Sequence, residues 1–326
     1  MKQVQFNHFG QPSLVARCID VPDVGSPSAW EVVVDIEAFP INVADLAMLS
    51  GNYGTLPQLP ATIGMEAVGK IIECGSAVKT MTIGDRVVLL GNNNWAERRK
   101  MPLAAVHKVD SSGDALQLSM LKVNPATAYI LLNNFVKLEE GDWVLQTAPL
   151  SSVGQCILQI AKAKGLKTIN IVHREDLKSE VIARGGDVVL EDGADLADRV
   201  KAVIGHDPLL LALDAVAGSG VQRLAESLSE GGQIINYGML SNESCALSSD
   251  QTIFRGISLQ GFWLSKLLNR MSQRERTTLF DTLSEWMAQG VLNIDVDACF
   301  NLSDISQALR RAEERGRKGK VMVLTR

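Results

Sequence analysis

The segment Gly51-Asn52-Tyr53-Gly54 offers the first prospect of chemistry, lying between Pro40-Ile41-Asn42 and Leu59-Pro60-Ala61-Thr62-Ile63-Gly64-Met65-Glu66. A free tyrosine phenol has a reference pKa of ~10 and is neutral at pH 7. Held in a loop, such a group can protonate a carbanion or hydrogen-bond an enolate oxygen. The bland alternative is a loop tyrosine whose ring caps the core. Farther along, Ala148-Pro149-Leu150-Ser151-Ser152-Val153-Gly154 forms a turn between an apolar strand and a helix. It is not a full GxGxxG, but small hydroxyl residues before a helix N-terminus suit a phosphate, because free N–H groups and the helix dipole favour negative charge. Serines that simply cap the helix are the other reading. A hydride donor and a proton donor together point to reduction of an activated carbon–carbon double bond.

The second strand of that unit ends in Val172-His173-Arg174-Glu175. A carboxylate there would hold a ribose 2′-hydroxyl and repel a 2′-phosphate. His173 and Arg174 instead favour the 2′-phosphate of NADPH, arginine through a charge-assisted fork, while Glu175 opposes it.

These groups need elements to hold them. Residues 31–38, 67–74 and 85–90 alternate in hydropathy and carry β-branched residues, so the first 120 residues read as β-rich. From Asn124 strands alternate with helices. Strands are expected at 143–147, 168–172, 187–190, 209–215, 233–237 and 257–262, with helices from Val153 to Gly165 and over 177–184, 194–203 and 221–228. Six strands with crossovers describe an α/β, doubly wound parallel sheet, a Rossmann arrangement. A helix at 273–289, a strand near 296–301, a helix at 303–315 and a strand at 320–325 close the chain. The expected division is a β-rich domain from 1–120 and 266–326 around a dinucleotide-binding domain from 121–265. The substrate cleft is expected between them.

The 326 residues are 46% apolar and 21% charged, which suits a soluble protein with a sizeable core. A net charge of −5 argues against nucleic acid as a partner. Cys18, Cys74, Cys156, Cys245 and Cys299 are scattered, without a CxxC pair, as expected of reduced thiols rather than disulfides or a zinc site. No apolar run reaches the ~18 residues that span a bilayer, and no targeting segment is evident, so the cytoplasm is expected. His8, His107 and His206 show no partner spacing and read as structural or solvated.

The chain resembles the zinc-free medium-chain dehydrogenases/reductases, and among them the trans-2-enoyl-CoA/ACP reductases. The matching segments are Pro40-Ile41-Asn42, Gly51-Asn52-Tyr53-Gly54 with Leu59-Pro60, Gly64-Met65-Glu66-Ala67-Val68-Gly69, Asn124-Pro125-Ala126-Thr127-Ala128-Tyr129, Tyr237-Gly238 and Gly261-Phe262-Trp263-Leu264-Ser265. The resemblance implies a GroES-like fold for the β-rich domain. Zinc-dependent relatives read Gly-His-Glu at Gly64-Met65-Glu66 and carry cysteine at the position of Asn42. Methionine and asparagine are poor zinc ligands, so no metal is expected.

The resemblance further implies that NADPH gives a hydride to the β-carbon of a 2-enoyl thioester, and that Tyr53 stabilises or protonates the enolate. Trp263, which could equally be core, would position substrate and nicotinamide. Cofactor contacts would come from Asn42, Asn124, Thr127, Leu150, Ser151, Ser152, Val153, His173, Arg174, Tyr237, Gly238, Met239, Leu240, Phe262, Leu264, Ser265 and Lys320. The chain departs from relatives at Ser151-Ser152, where glycine is frequent, and at Met239, where a second glycine is common. A homodimer is implied through the sheet edge near Ile257–Gln260. The acyl carrier is CoA or an acyl carrier protein; Arg315, Arg317 or Lys318 could meet its phosphates, although charge patterning also fits a solvated helix face. Two other readings stand: a quinone or alkenal reductase on the same scaffold, and a non-catalytic NADPH-binding protein.

Overall fold

The alternating run near residue 31 becomes the ten-residue strand Glu31–Pro40, buried on both faces over most of its length because three strands pair with it: Ala67–Cys74, Arg98–Pro102 and Lys320–Leu324. The structure, a computed structural model, describes every residue except Arg315 and Arg326. Its backbone contacts divide into two units: Met1–Asn124 with Met271–Arg326, and Pro125–Arg270.

In the first unit a seven-stranded sheet runs in the order Val296–Asn301, Lys320–Leu324, Glu31–Pro40, Ala67–Cys74, Arg86–Leu89, Val106–Lys108, with Arg98–Pro102 attached to the third strand. A three-stranded sheet of Arg17–Asp20, Lys2–Phe6 and Ala61–Thr62 accompanies it. Val32, Val34, Ile36, Phe39 and Trp95 meet in one core, where Phe39 and Trp95 stack at 5.4 Å. Each fully buried side chain of this kind stabilises the fold by about 1.5–3 kcal/mol relative to exposure. Arg98–Pro102 escapes periodicity reading because three of its five residues are charged, and its strand character comes from pairing with Glu31–Asp35.

The second unit is a six-stranded, all-parallel sheet in the order Val188–Glu191, Lys167–Val172, Trp143–Thr147, Leu211–Asp214, Gln233–Asn236, Ser258–Gly261. The order reverses at Trp143–Thr147, the switch point where open α/β sheets bind ligands beyond their carboxyl ends. The expected crossover helices form at Ser152–Ala163, Lys178–Ala183, Leu196–Ile204 and Gly220–Ser227, each within a few residues of its predicted bounds. The helix expected at 303–315 is a short 3-10 turn followed by Ile305–Glu313; Arg315 lies outside the described residues.

Candidate active site

At the switch point the chain leaves Thr147 through Ala148, whose φ of 49° is a left-handed backbone rarely held by a residue with a Cβ. Ser151 then caps the helix Ser152–Ala163, its Oγ accepting from the Gly154 N–H at 3.1 Å. Capping by Ser151 leaves the N–H groups of Ser152 and Val153 without a backbone partner among the described residues. Gly154 is required by contact, since a Cβ there would stand 2.5 Å from the Ala148 carbonyl oxygen and 2.7 Å from Pro149 Cα. Leu150, half-buried, leans on Leu158, Val172 and Val181.

The neighbouring strand ends are tied to this turn by Asp214, which sequence reading had passed over. Its carboxylate, 1% exposed, accepts from Thr147 Oγ1 at 2.9 Å, Val216 N at 3.0 Å, Ala217 N at 2.9 Å and Asn236 Nδ2 at 2.8 Å. The only hint in the sequence is an aspartate closing the apolar strand Leu211-Ala212-Leu213. Tyr237-Gly238-Met239-Leu240 follows Asn236; a Cβ on Gly238 would meet the Ala215 carbonyl oxygen at 2.6 Å. Burial pushes the Tyr237 phenol well above its ordinary pKa, with Ser151 opposing the shift. Met239 and Leu240 are exposed.

His173, Arg174 and Glu175 lie exposed at the end of Lys167–Val172. Arg174 Nε stands 3.3 Å from Asp176 Oδ1, both more than half exposed, a pair that water and salt weaken. Phe262 extends the edge strand through its N–H to the Asn236 carbonyl, and its ring meets Phe135 edge-on at 6.3 Å. Trp263, half-buried, lies just before the helix Leu264–Arg270, with the Lys266 ammonium 4.7 Å from its ring centre. Thr127 is buried on Asn124–Asn133, and Ser265 lies half-buried in Leu264–Arg270.

The first unit brings Asn42, Asn124 and Lys320 together around one amide. Asn42 caps the helix Val43–Leu49 in a capping box with Asp45, whose Oδ2 accepts the Asn42 N–H at 2.8 Å. Lys320 Nζ donates to Asn42 Oδ1, Asn124 Nδ2 approaches the same oxygen at 3.5 Å, and Asn42 Nδ2 donates to Glu66 Oε1 at 2.9 Å. Glu66 Oε2 accepts the Val123 N–H at 2.7 Å. Lys122, another residue absent from the sequence reading, donates to Met65 O, Gly91 O and Asn92 Oδ1. Asp45 and Glu66 are fully buried, Lys122 and Lys320 only 5% exposed.

Burial raises the Asp45 carboxyl to about 7, against hydrogen bonds from the Asn42 and Met65 N–H groups. It raises Glu66 too, against the Asn42 bond and the Lys320 charge. The same desolvation pulls Lys122 down to about 8. Two carboxyl groups and two lysines thus meet with almost no exposure to solvent. Zinc does not fit: Asn42 and Met65 are poor ligands, both Glu66 oxygens already accept hydrogen bonds, and buried ammonium groups repel a second cation.

Tyr53 follows the other end of that helix. Gly51, at φ 77°, closes it in a Schellman motif, with Gly51 N bonded to Met48 O at 3.1 Å and Asn52 N to Ala47 O at 2.8 Å. A Cβ at Gly51 would press on Phe9 at 3.2 Å. Tyr53 lies half-buried in the following bends. One seven-residue helix therefore links the polar cluster at its start to the tyrosine loop at its end.

In the basic C-terminal stretch, Arg311 grips Asp297 at 2.7 Å, and Arg317 donates to Glu314 O at 3.1 Å within its own turn. Arg315 lies outside the described residues. His107 is buried, with Nε2 3.1 Å from Asp281 Oδ1.

Residues 28–110 match the family model described as alcohol dehydrogenase GroES-like domain, and residues 152–285 that described as zinc-binding dehydrogenase. The chain is 31% identical over 330 residues to the mitochondrial enoyl-[acyl-carrier-protein] reductase of Dictyostelium discoideum, covering 99% of this chain and 94% of that protein. It is 34% identical over 316 residues to the Rattus norvegicus protein of the same name, covering 95% and 84%. Among solved structures, Escherichia coli quinone oxidoreductase complexed with NADPH superposes with a TM-score of 0.88 at 23% identity, over 99% and 100% of the two chains. The Etr1p complex with NADP and crotonyl-CoA gives 0.86 at 21% identity, over 99% of each. At that identity both describe the fold alone.

Proposed function

The chain belongs to the medium-chain dehydrogenases/reductases, on their enoyl reductase and quinone oxidoreductase-like branch, and from that premise we propose that it reduces 2-enoyl thioesters with NADPH. The observation that carries the reading is identity above 30% along nearly the whole chain to proteins named enoyl-[acyl-carrier-protein] reductase. Bound NADPH would supply the hydride for the β-carbon of the thioester. The N–H groups of Ser152 and Val153, over the close approach made possible by Gly154 and Gly238, suit its pyrophosphate. His173 and Arg174 suit its 2′-phosphate.

In this reading the Tyr53 hydroxyl donates a hydrogen bond to the enolate oxygen, or gives its proton to the α-carbon and is reprotonated from solvent, and Trp263 orients the substrate. Asn42, Asn124 and Lys320 contribute a polar wall whose hydrogen bonds are set by Glu66. No described helix is long and apolar enough to cross a membrane. The five free cysteines suit a reducing compartment, for which the cytoplasm is our reading, although the named relatives are mitochondrial. The acyl group's carrier is CoA or an acyl carrier protein.

The deciding experiment follows NADPH oxidation by wild type and Tyr53→Phe, on crotonyl-CoA and on a small quinone. Loss of a proton donor or enolate donor is expected to cost roughly 10²–10³ in kcat on the thioester and little on the quinone. Efficient quinone turnover, with no thioester reduction by wild type, would assign the scaffold to quinones. Equal rates for both proteins on the thioester would remove Tyr53 from the chemistry.

A further inference from the structure

Three consecutive residues, Lys122, Val123 and Asn124, all bond into the polar cluster. Asn124 Nδ2 reaches toward Asn42, the Val123 N–H binds Glu66 Oε2, and Lys122 Nζ binds Met65 O. An ammonium has three N–H donors and no acceptor. Lys122 meets three oxygens: Met65 O, Gly91 O at 2.9 Å and Asn92 Oδ1 at 3.1 Å, so its donors are all engaged. The segments it joins already press together on the other side. Gly64, at φ 121°, lies so close that a Cβ would stand 2.8 Å from Asn94 N, and Asn94 N donates to Gly64 O at 3.2 Å.

We propose that Lys122 is a positioning residue of the reductase: its ammonium clamps the loop Gly91–Asn94 to the Met65–Glu66 turn and so holds Glu66 where it orients Asn42 toward Lys320. This rests on the reading of Asn42 and Lys320 as site residues. A lysine does here what a bound cation would do elsewhere, drawing separate backbone segments onto one positive charge, and it brings that charge on a covalent tether. The charges acting on Lys122 are Glu66, from the Met65–Glu66 turn, and Asp45, from the helix Val43–Leu49; Lys320 acts on Glu66 in turn, and Arg99 Nη2 donates to Asn92 O at 3.3 Å in the clamped loop. Desolvation weakens the ammonium, so the clamp loosens in mildly alkaline solution, where one N–H is lost.

The test compares wild type, Lys122→Met and Asn92→Ala, measuring kcat and KM against pH from 6 to 10. Wild type is expected to lose kcat above about pH 8. Lys122→Met, folded by circular dichroism, is expected at least 10-fold lower in kcat and without that alkaline limb. Asn92→Ala removes one acceptor from an exposed loop and covers the case in which Lys122→Met fails to fold; its limb should move to lower pH. An unchanged limb in folded Lys122→Met, or in Asn92→Ala when Lys122→Met does not fold, overturns the proposal. Should wild type reduce no enoyl thioester, the functional reading fails separately. Urea unfolding then decides Lys122 alone, because the native state would shed its proton first and wild-type stability, unlike that of Lys122→Met, should climb between pH 8 and 10. Parallel curves would sink the idea.

Discussion

Lys320 and Asn42, 278 positions apart, meet in a buried hydrogen bond from the ammonium to the side-chain carbonyl. That contact fastens the last strand of the chain to the cap of the helix leading to Tyr53. Lys320→Met keeps the length of the side chain and removes its charge from beside two buried carboxyl groups. Breaking one partner from such a cluster costs about 3–5 kcal/mol. The urea midpoint of Lys320→Met should fall accordingly, while a surface change such as Lys79→Met should leave it in place.

Asp45 makes stability depend on pH in a defined direction. Its carboxyl titrates near ~3.9 when unfolded and at about 7 when buried, so between those values the native state holds a proton that the unfolded chain lacks. Its contribution is complete at low pH and is lost as pH rises through about 7. The gap corresponds to on the order of 4 kcal/mol at 1.36 kcal/mol per pH unit. Urea unfolding from pH 4 to 8 should show this fall in wild type, and a flatter curve for Asp45→Asn.

Gly154→Ala tests the phosphate turn. Its new Cβ would overlap backbone atoms of Ala148 and Pro149, which cannot move aside as a flexible side chain would. NADPH affinity measured by calorimetry should fall at least 10-fold, with the first unit's core undisturbed in near-ultraviolet dichroism.

Arg174→Ala tests cofactor choice. A charge-assisted hydrogen bond to a 2′-phosphate contributes about 1.5–3 kcal/mol, so KM for NADPH should rise roughly 10- to 100-fold. NADH lacks the phosphate, and its KM should stay within about 2-fold.

The strand Ser258–Gly261 is an unpaired sheet edge among the described residues, and Ile253 and Phe254 beside it are 70% and 76% exposed. Exposed edges and apolar patches invite a partner strand. Sedimentation should give a homodimer for wild type and a monomer for Phe254→Asp. A monomeric wild type refutes the edge interface.

Much of this protein was legible along the chain because its information is local. Period-two and period-3.6 hydropathy, with Gly165 and the capping residues as stops, was enough to locate the six parallel strands and their crossovers, since burial on a sheet or helix face repeats with the backbone. The helix Val43–Leu49 and its capping box at Asn42-Val43-Ala44-Asp45 were not expected from the sequence, since seven residues carry too short a periodic pattern. Asn42, Asn124 and Lys320 could be named only by resemblance to relatives. Their meeting at one amide oxygen depends on strand pairing between residues 38–40 and 322–324, which no local pattern encodes. Lys122 and Asp214 were invisible for the same reason. A lone lysine in Met-Leu-Lys-Val-Asn reads as a surface charge, and only the folded chain surrounds it with three oxygens and removes the water that would otherwise satisfy them. Sequence by itself determined the strands and crossover helices of the parallel sheet, because side-chain periodicity and backbone geometry are neighbouring properties; tertiary structure decided strands such as Arg98–Pro102 and which charges are buried together, because pairing and desolvation belong to residues that meet only after the chain has folded.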